Sequence, residues 1–168
     1  LKLRLEAFGA VQIKGPNWCG KTTTAEMQAK SVIKMQEPDM REGYLATART
    51  KPSLLLKGDT PRLIDEWQEV PPIWDAVRYK VDQKAEKGLF ILTGSATPNH
   101  KGILHSGAGR IGRLRMRPMS LFESGDSTGK ISLEELCRGT LTPAITGDVT
   151  LDSLVNLVVR GGWPGVID

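Results

Sequence analysis

The sequence predicts an α/β sandwich, a mostly parallel sheet with helices on both faces, followed by a short helical C-terminal extension. Three observations lead there. Short strand-like runs, among them Ala10-Val11-Gln12-Ile13-Lys14, Arg62-Leu63-Ile64-Asp65-Glu66 and Leu89-Phe90-Ile91-Leu92, alternate with longer helix-like segments. The first run enters Gly15-Pro16-Asn17-Trp18-Cys19-Gly20-Lys21-Thr22, which fits G-x-x-x-x-G-K-[ST] at every fixed position. The second delivers two adjacent carboxylates at its carboxyl end, the edge where open α/β sheets hold ligands.

Each element has a local reason. Ala10–Lys14 is apolar and β-prone and stops at Gly15-Pro16. Residues 22–30 contain good helix formers and neither Gly nor Pro. Ser31–Met35 reads as a second strand, because a β-branched pair precedes the turn Glu37-Pro38-Asp39. A helical pattern runs over residues 40–56, with a break or new turn at Pro52. Pro61 introduces the strand Arg62–Glu66. Ile73, Trp74, Val77 and Val81 have helical spacing within 73–87, and Gly88 ends that helix. Leu89–Leu92 is a strand closed by Thr93-Gly94-Ser95, and Arg110–Met116 is a further strand.

The 168 residues carry 23 Lys+Arg against 19 Asp+Glu, a net charge of +4, unevenly spread. Residues 1–117 hold 20 basic and 12 acidic side chains, whereas residues 118–168 hold 3 and 7. The change coincides with Pro118 and the stretch Glu123-Ser124-Gly125-Asp126-Ser127-Thr128-Gly129, so a basic core over 1–122 and an acidic helical extension over 123–168 are expected. Cys19 and Cys137 make neither a disulfide framework nor a C-x-x-C pair, which fits a reducing cytoplasm. No apolar run approaches membrane-spanning length and no leader pattern opens the chain, so the expectation is a cytoplasmic protein without a membrane partner. The chain opens on Leu1 and stops soon after Arg160-Gly161-Gly162-Trp163-Pro164-Gly165, which suggests part of a longer protein.

The chemistry is that of nucleotide phosphates. Inward-facing backbone N–H groups hold phosphate, and the tight turn needs glycine at Gly15 and Gly20. Pro16, Asn17, Trp18 and Cys19 complete the loop, and the following helix, with Thr22 and Thr23 at its start, aims its positive dipole end at the anion. Lys21 is expected to reach the β- and γ-phosphates of ATP, and the Thr22 hydroxyl to bind Mg²⁺. Asp65 would hold Mg²⁺ through water, and Glu66 would act as general base on the attacking water. Thr93 is the first choice for a hydroxyl that senses the γ-phosphate or that water, with Ser95 second and a capped turn as the plainer alternative. Arg110, Arg113, Arg115 and Arg117 concentrate positive charge, with the last three on one strand face. They meet either an acidic face of the same protein, ATP in a neighbouring subunit, or nucleic-acid phosphates. Trp18 either covers the loop or stacks on a base, Trp67, Trp74 and Trp163 read as core or interface, and His100 and His105 form no triad or metal spacing.

The segments 15–25, 61–68, 74–78, 90–96 and 109–124, among them G-P-N-W-C-G-K-T-T-T-A, P-R-L-I-D-E-W-Q and F-I-L-T-G-S-A, together resemble a large family of prokaryotic AAA-like ATPases. In that family a P-loop domain is fused to a C-terminal domain of unknown function. The resemblance implies an AAA-type αβα sandwich, nucleotide bound by Gly15, Gly20, Lys21 and Thr22, and Asp65 and Glu66 serving Mg²⁺ and water. It further implies Thr93 as sensor, and Arg110 or Arg113 as an arginine finger, acting in trans in a homo-oligomer. The fused domain would begin after residue 164 and is absent from this sequence.

The leading expectation is therefore an Mg²⁺-dependent ATPase module that drives a conformational change in a C-terminal domain or partner. A nucleotide-gated nucleic-acid-binding protein with marginal hydrolysis is the alternative. A small-molecule kinase is disfavoured by Glu66 and by the lack of an acceptor motif, and a GTPase by the lack of N-K-x-D.

Overall fold

The computed structural model describes residues 1–95, 105–140, 142–144, 147 and 149–167; His100 and the Ser95 side chain lie outside them. The described residues divide into two compact units, Leu1–Met116 and Arg117–Asp168.

The first unit opens with α1 (Lys2–Ala7), followed by β1 (Ala10–Gly15), α2 (Lys21–Glu26), β2 (Ser31–Lys34), α3 (Arg41–Thr50), β3 (Arg62–Asp65), α4 (Pro72–Lys84), β4 (Phe90–Ser95) and β5 (Ile111–Arg115). The strands form one sheet in the order β2-β3-β4-β1-β5, and every neighbouring pair is parallel. Parallel pairing demands a long crossover between strands, which is why helices separate most of them. β1 sits between β4 and β5 and is buried at every position except Lys14, which is half-buried.

Alternation along the strands builds two apolar layers. Val11, Ile13, Leu63 and Ile91 face Leu5 of α1 and Ala25 of α2, with Phe8 and Leu114 packed alongside. Ala10, Ile33, Ile64, Phe90 and Leu92 face the other way, onto Ala48 of α3 and Ile73, Trp74, Val77 and Val81 of α4. Trp67 and Trp74 pack with ring centroids 5.0 Å apart, so both are core residues. Ile91 is wholly buried in the central strand pairing. Truncating it to alanine is expected to cost about 2–5 kcal/mol, read as a lower midpoint in chemical denaturation.

Several elements differ from expectation for identifiable reasons. α1 has no counterpart in the expected elements, although Leu1, Leu5 and Phe8 recur at helical spacing and all join the same apolar layer. α2 stops at Glu26 rather than residue 30, because the Lys30 amide donates to the Pro61 carbonyl at 2.8 Å and draws the chain toward β2. α3 ends at Thr50, and Pro52 opens a separate 3₁₀ turn, Pro52–Leu54, since it has no N–H to continue the helix. α4 ends at Lys84, where Ala85 turns left-handed and its amide closes onto Val81. Thr93-Gly94-Ser95 does not close β4 but continues it, paired with Ile13, Lys14 and Gly15. Arg110 precedes β5 and Arg117 lies beyond its end, so only Arg113 and Arg115 share the expected strand face.

The second unit contains α5 (Leu133–Arg138), α6 (Leu151–Arg160) and a 3₁₀ turn, Pro164–Val166. Ser132 caps α5 and Thr150 caps α6, each side chain accepting from a first-turn amide. The Met119 amide donates to the Gly162 carbonyl at 2.6 Å, and a Cβ at Gly162 would lie 2.1 Å from the Met119 carbonyl oxygen, so only glycine fits there. Arg160 pairs with Asp126 and holds its carboxyl below the ordinary aspartate pKa, with the Ser124 hydroxyl adding to the effect. Among the described residues, no helix is long and apolar enough to cross a membrane.

Candidate functional site: the loop after β1 and the end of β3

The site begins where β1 ends. A Cβ on Gly15 would lie 2.8 Å from the Met116 carbonyl oxygen and 2.9 Å from Cys19 Sγ, so the chain folds this tightly only with glycine. Cys19 is buried against that turn as a packing residue. Trp18 and Gly20 both take left-handed backbone angles, φ 63° and 87°. Left-handed residues interspersed in a turn point successive N–H groups to one side and make an anion-binding concavity. Trp18 adopts this conformation although it is bulky, and its indole is 88% exposed. Pro16 and Gly20 are half-buried, and Asn17 is exposed.

Lys21 opens α2 and is only 6% exposed. Its Nζ donates to the carbonyls of Pro16 at 2.8 Å and Gly15 at 3.1 Å. Among the described residues no carboxylate pairs with it. A buried ammonium satisfied only by two neutral carbonyls is costly unless a negative charge is brought to it, and its third N–H is the group that would receive one.

Thr22, the next residue, donates from Oγ1 to Asp65 Oδ1 at 2.9 Å, joining α2 to the end of β3. The fully buried Thr93 hydroxyl donates to the same carboxylate oxygen. Three elements thus meet at one Asp65 oxygen, and the expected companions of Asp65 are the ones the fold brings to it. Thr23 is exposed and one residue further along α2.

Hydroxyl and carboxylate oxygens are the hard donors that Mg²⁺ takes, one or two at a time, completing its shell with waters and phosphate. Among the described residues no cluster of three or more His, Cys, Asp or Glu could hold a metal. The Thr22–Asp65 pair therefore suits a metal that arrives with phosphate rather than one caged by the protein.

Glu66 follows β3 directly, half-buried, with a left-handed backbone at φ 52°. Such an angle costs a non-glycine residue about 1 kcal/mol or more and turns its side chain away from the direction β3 would give it. Its Oε2 accepts from the Gln68 side-chain amide. Gln68 in turn leans on β4: a Cβ added at Gly94 would lie 2.1 Å from Gln68 Oε1. Gln68 was not among the expected site residues, and nothing in its spacing marks it, because its place follows from the turn at Glu66. Gly94→Ala is expected to push Gln68 off Glu66, and Gln68→Ala to lose the same contact. The double variant should then be no worse than Gln68→Ala alone, a non-additivity that a double-mutant cycle on nucleotide turnover reads directly.

The arginines divide. Arg110 Nε donates to Asp82 Oδ1 at 2.7 Å, and Asp82 also accepts from Arg78 at 2.9 Å. The Arg110 hydrogen bond is the main reason the Asp82 carboxyl sits below its usual pKa. Arg110 stands beside Ala10, at the opposite end of β1 from Gly15, about 16 Å away at strand rise. That is beyond the reach of an arginine side chain from the loop of its own chain. Arg113 and Arg115 are exposed on β5 and pair with no carboxylate among the described residues. Trp74 Nε1 donates to the His105 carbonyl, so the described role of His105 is through its backbone.

A parallel sheet with a glycine loop from β1 into α2, and an aspartate at the end of β3 bonded to the threonine after the loop lysine, defines a P-loop NTPase fold. A family model described as an AAA domain matches residues 7–124, and the chain belongs to that family. Two curated mycobacterial relatives are each 29% identical over 155 residues: uncharacterized protein Mb2031c of Mycobacterium bovis and uncharacterized protein Rv2008c of Mycobacterium tuberculosis. The match takes in 91% of this chain but 34% of each relative, so the chain spans about a third of their length. Similar solved structures include C. elegans PCH-2, at 16% identity and TM-score 0.39, covering 85% of this chain and 43% of that one. The FIGL-1 AAA domain in complex with ADP aligns at 15% identity and TM-score 0.40, covering 82% and 51%.

Proposed function

We propose that this AAA-family domain binds ATP with Mg²⁺, hydrolyses it, and uses the cycle to move a partner or a further domain. The observation that carries this is Lys21: a buried ammonium held by the carbonyls of its own glycine loop and facing no carboxylate among the described residues. Backbone amides of residues 17–22 would cradle the phosphates, and Lys21 would neutralise the β- and γ-oxygens. Thr22 and Asp65 are the residues that would hold Mg²⁺, which when bound supplies charge neutralisation on the transferring phosphoryl group. Glu66, already oriented by Gln68, would take the proton of the attacking water. Thr93 would report phosphate loss to the Asp65 oxygen it touches. A guanidinium from Arg110 or Arg113 would act on nucleotide from a neighbouring copy, so turnover per chain should rise with protein concentration.

The test is a titration of Mg·ATP and Mg·GTP followed by tryptophan fluorescence, with Trp18→Phe to assign the signal and phosphate release measured alongside. A saturable ATP response from Trp18, together with free phosphate, supports the proposal. Folded protein that gives no response, and no displacement of a fluorescent ATP analogue, would sink it.

A further inference from the structure

One cluster of charge extends beyond this chemistry, which it meets only at Arg113. The β1–β5 register sets Lys14 opposite Arg115 and Gln12 opposite Arg113, so Lys14, Arg113 and Arg115 project from the same face of the sheet. The two arginines are exposed and Lys14 is half-buried. Burial, and then the Arg113 and Arg115 guanidiniums, push the Lys14 ammonium below the ordinary lysine pKa, so the three charges repel without local compensation. Arg110, just before β5, meets Asp82, whereas among the described residues these three meet no carboxylate. β5 is also an edge strand, paired with β1 alone among the described residues.

We infer that Lys14, Arg113 and Arg115 form a binding surface for the phosphodiester backbone of a nucleic-acid strand. Residues two apart on a strand stand about 6.6 Å from each other and neighbouring strands about 4.8 Å, so Lys14 and Arg115 lie side by side with Arg113 further along the edge, a triangular patch of cations. A patch of closely set cations without carboxylate partners suits a polyanion such as a chain of phosphates. The surplus of 20 basic over 12 acidic residues in positions 1–117 favours a polyanion at longer range as well. None of the large exposed apolar side chains of the first unit, such as Leu3, Met27, Val32 and Tyr79, lies on β5, which disfavours an acidic protein needing apolar anchors. Binding here is sequence-independent and does not require ATP hydrolysis.

The experiment is fluorescence anisotropy of a labelled oligothymidylate titrated with the 168-residue chain at several salt concentrations. Three phosphate contacts predict a slope of log K against log salt of about −2 to −3. Arg115→Ala and Lys14→Ala should each weaken binding and flatten the slope by about one. Arg115→Lys should keep the slope, and Lys30→Ala, an equal loss of charge at an exposed site elsewhere, should change neither. Melting curves confirm that each variant is folded, and the Lys14 and Arg115 variants test the surface independently. Absence of saturable binding at low salt would overturn the inference, as would an equal loss in Lys30→Ala. Displacement of the oligonucleotide by polyglutamate at matched charge would assign the surface to an acidic protein instead.

Discussion

Replacing Lys21 with alanine is expected to weaken Mg·ATP binding at least about 100-fold, about 2.7 kcal/mol, in a protein that still folds. The magnitude follows from burial. Lys21 is only 6% exposed, and its two bonds go to neutral carbonyls of its own loop. A charge-assisted contact to phosphate made there is poorly screened by water and stronger than one at the surface. Folding should survive, because the tight turn is set by Gly15 and Gly20 and not by the ammonium. Fluorescence titration of wild type and variant gives the two dissociation constants, and circular dichroism gives the fold. Equal affinities in two folded proteins would remove Lys21 from the phosphate site and with it the main support for nucleotide binding.

Replacing Glu66 with glutamine is expected to lower the rate of phosphate release by about 10²- to 10⁴-fold while leaving ATP affinity unchanged. Glutamine has the same shape, can occupy the same left-handed position and lacks only basicity. Binding should be spared because the contacts that draw Thr22 and Thr93 together run through Asp65, not Glu66. Single-turnover phosphate release beside an equilibrium titration separates the two effects. A variant that binds poorly would make Glu66 part of the nucleotide pocket; one that turns over normally would leave the water without this base.

Much of the site is legible in sequence because its parts are local or directly follow apolar strand runs. The glycine loop is eight consecutive residues, and its backbone demands are met by residue type alone. Asp65 and Thr93 are recognisable because apolar runs precede both, and parallel strands deliver their carboxyl ends to one edge. Gln68 was not legible. Its contact with Glu66 depends on the left-handed turn at Glu66, and its room depends on Gly94, 26 residues further along. The arginine cluster was half legible: alternation put Arg113 and Arg115 on one face, but only pairing with β1 adds Lys14 and only strand ends exclude Arg110 and Arg117.

The sequence by itself determined the α/β class and the glycine loop after β1, and singled out the acids and hydroxyls proposed for the site, since short-range pattern and backbone preference suffice for these. The tertiary structure decided the strand order β2-β3-β4-β1-β5, which places β4 between β3 and β1 and so brings Thr93 to Asp65. It also decided which charges are neutralised: Arg110 by Asp82 on α4, and Lys14, Arg113 and Arg115 by no carboxylate among the described residues. Strand order and charge pairing depend on which distant segments share a core, and no local run of residues encodes that.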